Sequence, residues 1–226
     1  MTDGPARALL LSRRMVVLDF DGPVTRLLPG EEYLRVTEGA LELALSRGVR
    51  PDDELTGERD HVQLLRALTQ RDTAVARAVE RWCTEQEIAA ASRAYPVRAA
   101  AAFVTECLAR GAAVAVVTNN APAAVSAVLA HGAPGLAQLP VYGREPGALD
   151  RLKPAPDMLT DAMRDAGWEP ADAVMIGDSA SDVEAAAAAG MPCIGLSPVP
   201  AQRTELLVAG AAAVVPDLAA LLSAPS

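Results

Sequence analysis

An apolar run that stops at two aspartates constrains the possible folds of this chain more than any other feature. The run spans residues 15–18 and leads directly into Asp19 and Asp21, which are separated by Phe20 and followed by Gly22. Short apolar runs of this kind are typical of strands buried on both faces, and functional groups of parallel α/β sheets lie beyond the carboxyl ends of such strands. The sequence therefore predicts a buried strand that delivers two carboxylates to an open end of a sheet.

Further apolar runs predict the rest of this sheet. They span 113–117, 173–176 and 193–196, with a weaker run at 212–215, and alanine-rich helical stretches lie between the later ones. Alternation of strands and helices indicates a parallel sheet wound with right-handed crossovers. We therefore expect an α/β fold with a doubly wound parallel sheet.

The stretch between the first two runs has a different pattern. It contains no convincing strand, but Leu34, Leu41 and Leu45 have helical spacing, and Asp72 precedes another periodic stretch as a helix N-cap would. We interpret 29–95 as an inserted helical cap domain, and 1–28 together with 96–226 as the α/β core domain.

Composition narrows the function. The chain has 226 residues, a net charge of −9 and only 3% aromatic residues, which argues against a nucleic-acid or anionic-membrane surface. No apolar stretch reaches transmembrane length, so we expect a cytoplasmic protein, a monomer or homodimer, that acts on a small molecule. Cys83, Cys107 and Cys193 are widely spaced and are predicted to be core thiols.

Chemically useful residues follow the other predicted strands. Thr118 and Asn119 stand ahead of Pro122, a sequence suited to a helix N-terminus whose free N–H groups bind an anion. Asp178 and Asp182 lie one helical turn apart around another predicted helix start, which suits a hard cation.

Lysine usage singles out one further position. The 20 basic residues comprise 19 arginines and one lysine, Lys153, which is flanked by Pro154 and Pro156. Because the ammonium of lysine and the planar guanidinium of arginine are not interchangeable at a tight site, Lys153 marks a position that needs a compact charge, unless it is a chance remnant.

In this order and spacing the motifs resemble those of the haloacid dehalogenase superfamily of aspartate-nucleophile hydrolases. The resemblance covers the whole chain and is strongest to phosphoglycolate-phosphatase-like members, which have a small helical cap after the first strand. The four matching motifs are Asp19-Phe20-Asp21-Gly22, Thr118, Lys153 with its prolines, and Gly177-Asp178-Ser179 with Asp182.

The resemblance implies a Mg²⁺-dependent phosphatase that hydrolyses a small phosphorylated metabolite. Asp19 would attack phosphorus and form an aspartyl-phosphate, Asp21 would act as general acid and base, and Lys153 would be the catalytic cation. Thr118, Asn119 and Lys153 would bind the phosphate. The metal would be held by Asp19, Asp21, Asp178 and Asp182, of which Asp182 is either a ligand or a neighbour of the ligands. Charge arithmetic requires such a cation, since the carboxylates would otherwise repel a phosphate.

Two alternatives remain open. A phosphomutase of the β-phosphoglucomutase type uses the same motifs, and a catalytically silent partner-binding module would keep only the fold. Phosphonate cleavage is excluded because that branch of the family needs a cap lysine, and the insertion has none. Asp21 favours phosphoryl transfer over dehalogenation.

Other positions carry weaker expectations. Pro23 departs from the family pattern and removes an N–H, so the turn after Asp21 must be held differently, and Arg26 either favours an anionic substrate or extends into solvent. His61 and His131 are expected at the surface or at helix caps. Trp82 is expected in the core of the cap. A substrate-reading arginine would come from this set of cap residues: Arg35, Arg47, Arg59 and Arg66.

Overall fold

One parallel sheet forms the centre of the molecule. The computed structural model describes residues 4–132 and 134–223, and within them six strands form a single sheet with helices on both sides. The strands are β1 (Met15–Leu18), β2 (Ala113–Val117), β3 (Val141–Tyr142), β4 (Ala173–Gly177), β5 (Cys193–Leu196) and β6 (Ala213–Val215). The predicted α/β fold and its doubly wound parallel sheet are confirmed, and each predicted strand is present to within one residue.

The sheet order places β1 in the interior. The order is β3-β2-β1-β4-β5-β6, and Leu18 pairs with Val116 of β2 on one side and Ile176 of β4 on the other. All of β1 is buried, as expected when helices cover both faces of a sheet. The segments that follow these three strands therefore emerge next to one another at the same edge.

Helices account for most of the remaining described chain. In chain order they are α1 (Gly4–Leu11), α2 (Glu31–Ser46), α3 (Asp53–Gly57), α4 (His61–Arg71), α5 (Thr73–Ala91), α6 (Arg98–Ala109), α7 (Pro122–Ala130), α8 (Pro134–Ala137), α9 (Asp157–Ala166), α10 (Ala180–Ala188) and α11 (Pro200–Val208). Short 3₁₀ turns occupy Leu149–Arg151, Pro170–Asp172 and Leu218–Leu221. Among the described helices, none combines the length and apolarity required to cross a bilayer.

Helices α2 to α5 lie inside the segment predicted as the cap. Asp52, Asp60 and Asp72 cap α3, α4 and α5 by accepting hydrogen bonds from main-chain N–H groups, which confirms the predicted N-cap at Asp72. The half-buried Trp82 packs against Gly39 of α2, where a Cβ would lie 2.5 Å from the indole ring, so it packs between helices of the segment predicted as the cap, as expected.

The chain enters and leaves this helical segment through two adjacent linkers. The main-chain N–H of Val97 donates to the carbonyl of Val24 (2.8 Å), and the hydroxyl of Thr25 donates to the carbonyl of Tyr95 (2.9 Å). Helix α5 also packs against α7 of the core. The helical segment is therefore joined to the core at its linkers and along one side of α5.

The structure also decides several predictions about single residues. Cys83, Cys107 and Cys193 are free and buried, which confirms that they are core thiols. His131 is the exposed C-cap of α7, as expected. The sequence did not predict β3, because two residues are too short to show a period-2 pattern.

Candidate active site

The register of the sheet brings three sequence motifs to one edge. Asp19 follows β1 directly, Thr118 follows β2 and Asp178 follows β4. Asp19 is only 7% exposed, and its main-chain N–H continues the ladder by donating to Ile176 (2.9 Å). The motifs are distant in sequence, but their side chains meet because parallel strands end on the same side.

Lys153 lies at the centre of this edge. Its ammonium donates to Oδ1 of Asp19 (2.5 Å), to Oδ1 of Asp182 (2.7 Å) and to the carbonyl of Val117 (3.1 Å). The side chain is 3% exposed, and the three bonds use all three N–H groups of the ammonium. The single lysine of the chain thus occupies a site that fits a compact cation.

Asp182 holds this arrangement from the helix side. Its Oδ2 accepts hydrogen bonds from the main-chain N–H groups of Asp178 (3.1 Å) and Ser179 (3.0 Å), and with Ser179 it forms a capping box at the start of α10. A Cβ at Gly177 would lie 2.4 Å from the Asp182 carboxylate, so only glycine fits there. Both oxygens of Asp182 are therefore already bonded within the protein.

Three carboxylates meet closely enough to hold a cation. Asp19, Asp178 and Asp182 each offer an oxygen, and these oxygens lie within 4.8 Å of one another. A Cβ on Gly22, whose φ is 107°, would lie 2.0 Å from Asp178 Oδ2, so glycine is required for the close approach of the first motif to the fourth. An all-oxygen donor set of this kind suits a hard divalent cation such as Mg²⁺.

The protonation equilibria reflect this concentration of charge. Burial and the neighbouring Asp182 raise the pKa of Asp19 well above its ordinary value, and the same two causes raise the pKa of Asp178 to about 6. Burial opposes the charge of Lys153, but the carboxylates of Asp182 and Asp19 outweigh it and raise the pKa of the ammonium. Negative charge exceeds positive charge here, and a bound cation would relieve the excess.

Thr118 and Asn119 form the loop between β2 and α7. Thr118 is 1% exposed, and its Oγ1 accepts from the N–H of Asn120 (3.2 Å). The Asn119 amide donates to the carbonyl of Lys153 (3.0 Å) and accepts from its N–H (2.9 Å). The side chain of Asn119 thus fixes the backbone of Lys153, and its main-chain N–H donates to no group within the described chain.

Asp21 lies beside Asp19 at the same edge. Its Oδ1 accepts from the N–H of Leu27 (3.2 Å), and burial raises the pKa of the carboxyl group above its ordinary value. The turn around Pro23 is held by main-chain bonds that do not need a proline N–H, including Gly22 to Thr25 (2.6 Å). These bonds hold the turn after Asp21 without the N–H group that Pro23 lacks, as expected from the sequence.

A cavity of about 420 Å³ opens over these groups. It is lined by Asp19, Asp21, Arg26, Leu28, Gly30, Tyr33, Asp60, His61, Val62, Thr118, Asn119, Asn120, Lys153, Asp178, Ser179 and Ser181. The set contains residues of the sheet edge and of the predicted cap. The cavity therefore lies where both segments can contact one bound molecule.

The arginine at this cavity is Arg26, and none of the four cap arginines lines it. Arg26 lies 3.7 Å from Asp178 Oδ2 and leaves 70% of its side chain exposed. Arg66 instead donates to the carbonyls of Leu152 (2.9 Å) and Lys153 (3.0 Å), which attaches α4 to the loop that carries the lysine.

The expectation that His61 lies at the surface or caps a helix is wrong. Its side chain is 1% exposed, it lines the cavity, and its Nε2 lies 3.1 Å from Oε1 of Glu87. His61 is the first residue of α4, and the N-cap is Asp60. A lone histidine carries no sequence signal of such a partner, because Glu87 is 26 residues away.

Glu87 and Arg144 form a buried ion pair beside His61 that the sequence did not reveal. Two parallel bonds join them, at 2.9 Å and 3.0 Å, and the N–H of Ala121 at the start of α7 also donates to Glu87 (2.8 Å). Although burial opposes the charge, His61 and Arg144 lower the pKa of Glu87. The only sequence signal was an acidic residue on the apolar stripe of α5.

Breaking this pair is expected to destabilise the protein strongly. Glu87→Leu would remove both hydrogen-bonded contacts of the pair and leave the buried Arg144 with only Glu80, 4.0 Å from its Nε, as a counter-ion within the described chain, so the free energy of unfolding should fall by ~3–5 kcal/mol. Denaturant unfolding monitored by circular dichroism measures the change. Glu85→Leu on the exposed face of the same helix is the matched control and should stay within ~0.5 kcal/mol of the unmodified protein. Equal effects of the two substitutions would contradict this role of the pair.

Comparison with known proteins adds independent information. Residues 14–190 match the family model of haloacid dehalogenase-like hydrolases. A phosphoglycolate phosphatase from Pseudomonas putida is 37% identical over 78 residues, a match that covers 31% of this chain and 29% of that protein. The aligned part is thus under a third of that curated relative.

Solved structures agree on the fold. A hydrolase from Deinococcus radiodurans, crystallised with phosphate and sodium, is 25% identical with a TM-score of 0.61, and the match covers 93% of both chains. CbbY from Rhodobacter sphaeroides in complex with phosphate is 22% identical with a TM-score of 0.65, covering 92% of this chain and 95% of that one.

Proposed function

Because the chain belongs to the haloacid dehalogenase-like hydrolase family, we propose that it is a Mg²⁺-dependent phosphatase that hydrolyses a small phosphorylated metabolite. The observation that carries the proposal is the buried contact of Lys153 Nζ with Asp19 Oδ1, at 2.5 Å, beside the acidic residues after β4. A buried carboxylate at a strand end, paired with a lysine and facing a cavity, suits a nucleophile that receives a phosphate.

In the first step, Asp19 attacks phosphorus in line and forms an aspartyl-phosphate as the bond to the leaving oxygen breaks. Asp21 donates its proton to that oxygen, which departs as an alcohol. The raised pKa of Asp21 supports this role, since a carboxyl group must be protonated to act as the acid.

In the second step, Asp21 takes a proton from water, which attacks phosphorus and releases inorganic phosphate and free Asp19. The Thr118 hydroxyl and the main-chain N–H of Asn119 bind the phosphoryl oxygens through both steps. Lys153 screens the charge of Asp19 from the incoming phosphate.

Asp19, the carbonyl of Asp21 and Asp178 are the groups that we propose would hold Mg²⁺. Bound there, the ion supplies positive charge that offsets the carboxylates and the phosphate. Asp182 already uses both oxygens within the protein, so we propose that it positions Lys153 and the start of α10 and does not itself bind the ion.

Removing the metal tests the proposal. Protein treated with a chelator should hydrolyse p-nitrophenyl phosphate at least ~100-fold more slowly than the same protein with added Mg²⁺, because the uncompensated carboxylates repel the substrate. Added Mg²⁺ should also raise the melting temperature, since only the folded protein assembles the site. Asp178→Asn should weaken both effects, while Asp150→Asn, at an exposed position, should change neither.

A panel of phosphate esters separates the alternatives. Release of inorganic phosphate supports the phosphatase. Return of the phosphate to another hydroxyl of a sugar, without release, would identify a mutase. Absence of any reaction across the panel, with Mg²⁺ present, would leave a silent binding module.

A further inference from the structure

The predicted cap contributes one wall of the cavity, and the described side chains on that wall include acidic and neutral polar groups but no arginine or lysine. We call the cavity-lining residues between 29 and 95 the cap wall; they are Gly30, Tyr33, Asp60, His61 and Val62. Within the described chain, this wall contains a carboxylate, an imidazole and a phenol but no arginine or lysine. The groups that face a substrate's leaving group are therefore not built to neutralise a negative charge.

His61 offers an acceptor to the cavity. Glu87 is ionised and can only accept, so the proton on His61 lies on Nε2, which donates to it (3.1 Å). In the neutral imidazole, the proton on Nε2 leaves the lone pair on Nδ1, and this buried atom has no hydrogen-bond partner among the described residues. A buried acceptor without a partner calls for a donor from a ligand.

Asp60 adds a second acceptor. Its Oδ1 caps α4 by accepting from the N–H groups of Val62 (2.7 Å) and Gln63 (3.4 Å), and its carboxylate lies beside the Tyr33 hydroxyl. Tyr33 packs edge-on against His61, with ring centroids 5.2 Å apart. Burial, together with the charge of Asp60, raises the pKa of the Tyr33 hydroxyl, which therefore stays protonated.

Two cations of the described chain, Lys153 and Arg26, line the cavity outside the cap wall. Lys153 is bonded to Asp19 and Asp182, and Arg26 lies 3.7 Å from Asp178. Arg59 precedes Asp60 in the chain but is exposed and does not line the cavity. On the cap wall, an anionic leaving group would meet the Asp60 carboxylate with no arginine or lysine among the described residues of that wall to offset it.

We propose that the cap wall selects phosphate monoesters whose alcohol carries hydrogen-bond donors, hydroxyl or ammonium, and discriminates against those that carry a carboxylate or a second phosphate. The proposal rests on the phosphatase function and names its substrate class. Donors satisfy the acceptors of Asp60 and His61, whereas a second anion leaves these acceptors unpaired and is repelled.

Three esters with the same two-carbon skeleton test the proposal. They are 2-hydroxyethyl phosphate, phosphoethanolamine and phosphoglycolate, which differ in a neutral, a cationic and an anionic terminal group. We expect kcat/KM for both of the first two to exceed that for phosphoglycolate by at least ~10-fold. A higher value for phosphoethanolamine would identify ammonium as the preferred donor, and a higher value for 2-hydroxyethyl phosphate would identify hydroxyl.

Substitution of Asp60 tests whether the cap wall causes this substrate preference. Asp60→Asn removes the charge and keeps an N-cap residue, so the ratio of kcat/KM between 2-hydroxyethyl phosphate and phosphoglycolate should fall by ~5-fold or more. If Asp60→Asn folds poorly, Asp60→Ser, which also keeps a good N-cap residue and removes the charge, should lower the ratio in the same direction. Arg59→Ala is the matched neighbour and should leave the ratio unchanged.

The outcomes distinguish failure of the proposed selectivity from failure of the proposed phosphatase function. Hydrolysis of p-nitrophenyl phosphate with equal or greater kcat/KM for phosphoglycolate than for the other two esters would overturn the selectivity and keep the phosphatase. A ratio that shifts with Arg59→Ala but not with Asp60→Asn would also overturn it. Absence of hydrolysis of every ester, p-nitrophenyl phosphate included, would overturn both.

Discussion

Asp19→Asn is expected to lower Mg²⁺-dependent hydrolysis of p-nitrophenyl phosphate by ~10⁴-fold or more, the scale of effect seen when a covalent nucleophile is removed. The carboxamide has nearly the same shape as the carboxylate, so the buried site after β1 remains filled. An amide oxygen is a poor nucleophile towards phosphorus, so the covalent step is lost. Phosphate release at saturating Mg²⁺ measures the loss, with circular dichroism to verify folding.

The second aspartate provides the matched variant. Asp21→Asn keeps the nucleophile and removes the acid and base. Because p-nitrophenolate leaves without much help from an acid, this variant should form the aspartyl-phosphate in one rapid burst, equal to the enzyme concentration, and then turn over slowly. Asp19→Asn should show no burst. Undiminished steady turnover of Asp19→Asn would contradict the covalent mechanism.

Lys153→Met is the second change with a large expected effect. It removes the cation shared by Asp19 and Asp182 and leaves two buried carboxylates facing each other. We expect hydrolysis to fall by ~10³-fold, because a preorganised charge at the reacting group is lost. The loss in the free energy of unfolding should be smaller than the increase in activation free energy that corresponds to this drop in rate. The reason is that one of the two carboxylates can take up a proton. Steady-state kinetics and denaturant unfolding measure the two effects.

A reciprocal pair of substitutions shows whether the compact ammonium matters. Lys153→Arg keeps the charge but places a planar guanidinium where three acceptors converge on one ammonium nitrogen. This variant should therefore retain little activity. Arg151 lies two residues earlier and is partly exposed. Arg151→Lys should keep the activity of the unmodified protein and change the free energy of unfolding by no more than ~0.5 kcal/mol. Full activity of Lys153→Arg would contradict the steric part of this argument.

Much of the fold could be predicted from the sequence because buried strands in a parallel sheet are continuous apolar runs. Such runs located β1, β2, β4, β5 and β6. The two-residue β3 and the exact helix ends could not be predicted, since short elements have no period and depend on neighbours supplied by the folded chain. Asp72 was an exception, because an N-cap acts on residues next to it in sequence.

The residues of the candidate site divide in the same way. Asp19, Thr118 and Asp178 were identifiable because each directly follows a strand, and local sequence decides what stands at a strand end. The sequence could not show that the Asn119 side chain holds the Lys153 backbone, or that Asp182 uses both oxygens within the protein. These bonds join segments that have no fixed spacing.

The sequence by itself thus determined the sheet and the residues that follow its strands, and it predicted a compact cation at Lys153. Only the tertiary structure decided the cap wall, where His61 is buried against Glu87 and its Nδ1 has no hydrogen-bond partner within the described part of the chain. The physical reason is that hydrophobic patterning and helix caps act over a few neighbouring residues, whereas the partner of a buried polar group is chosen by packing between segments far apart in the chain.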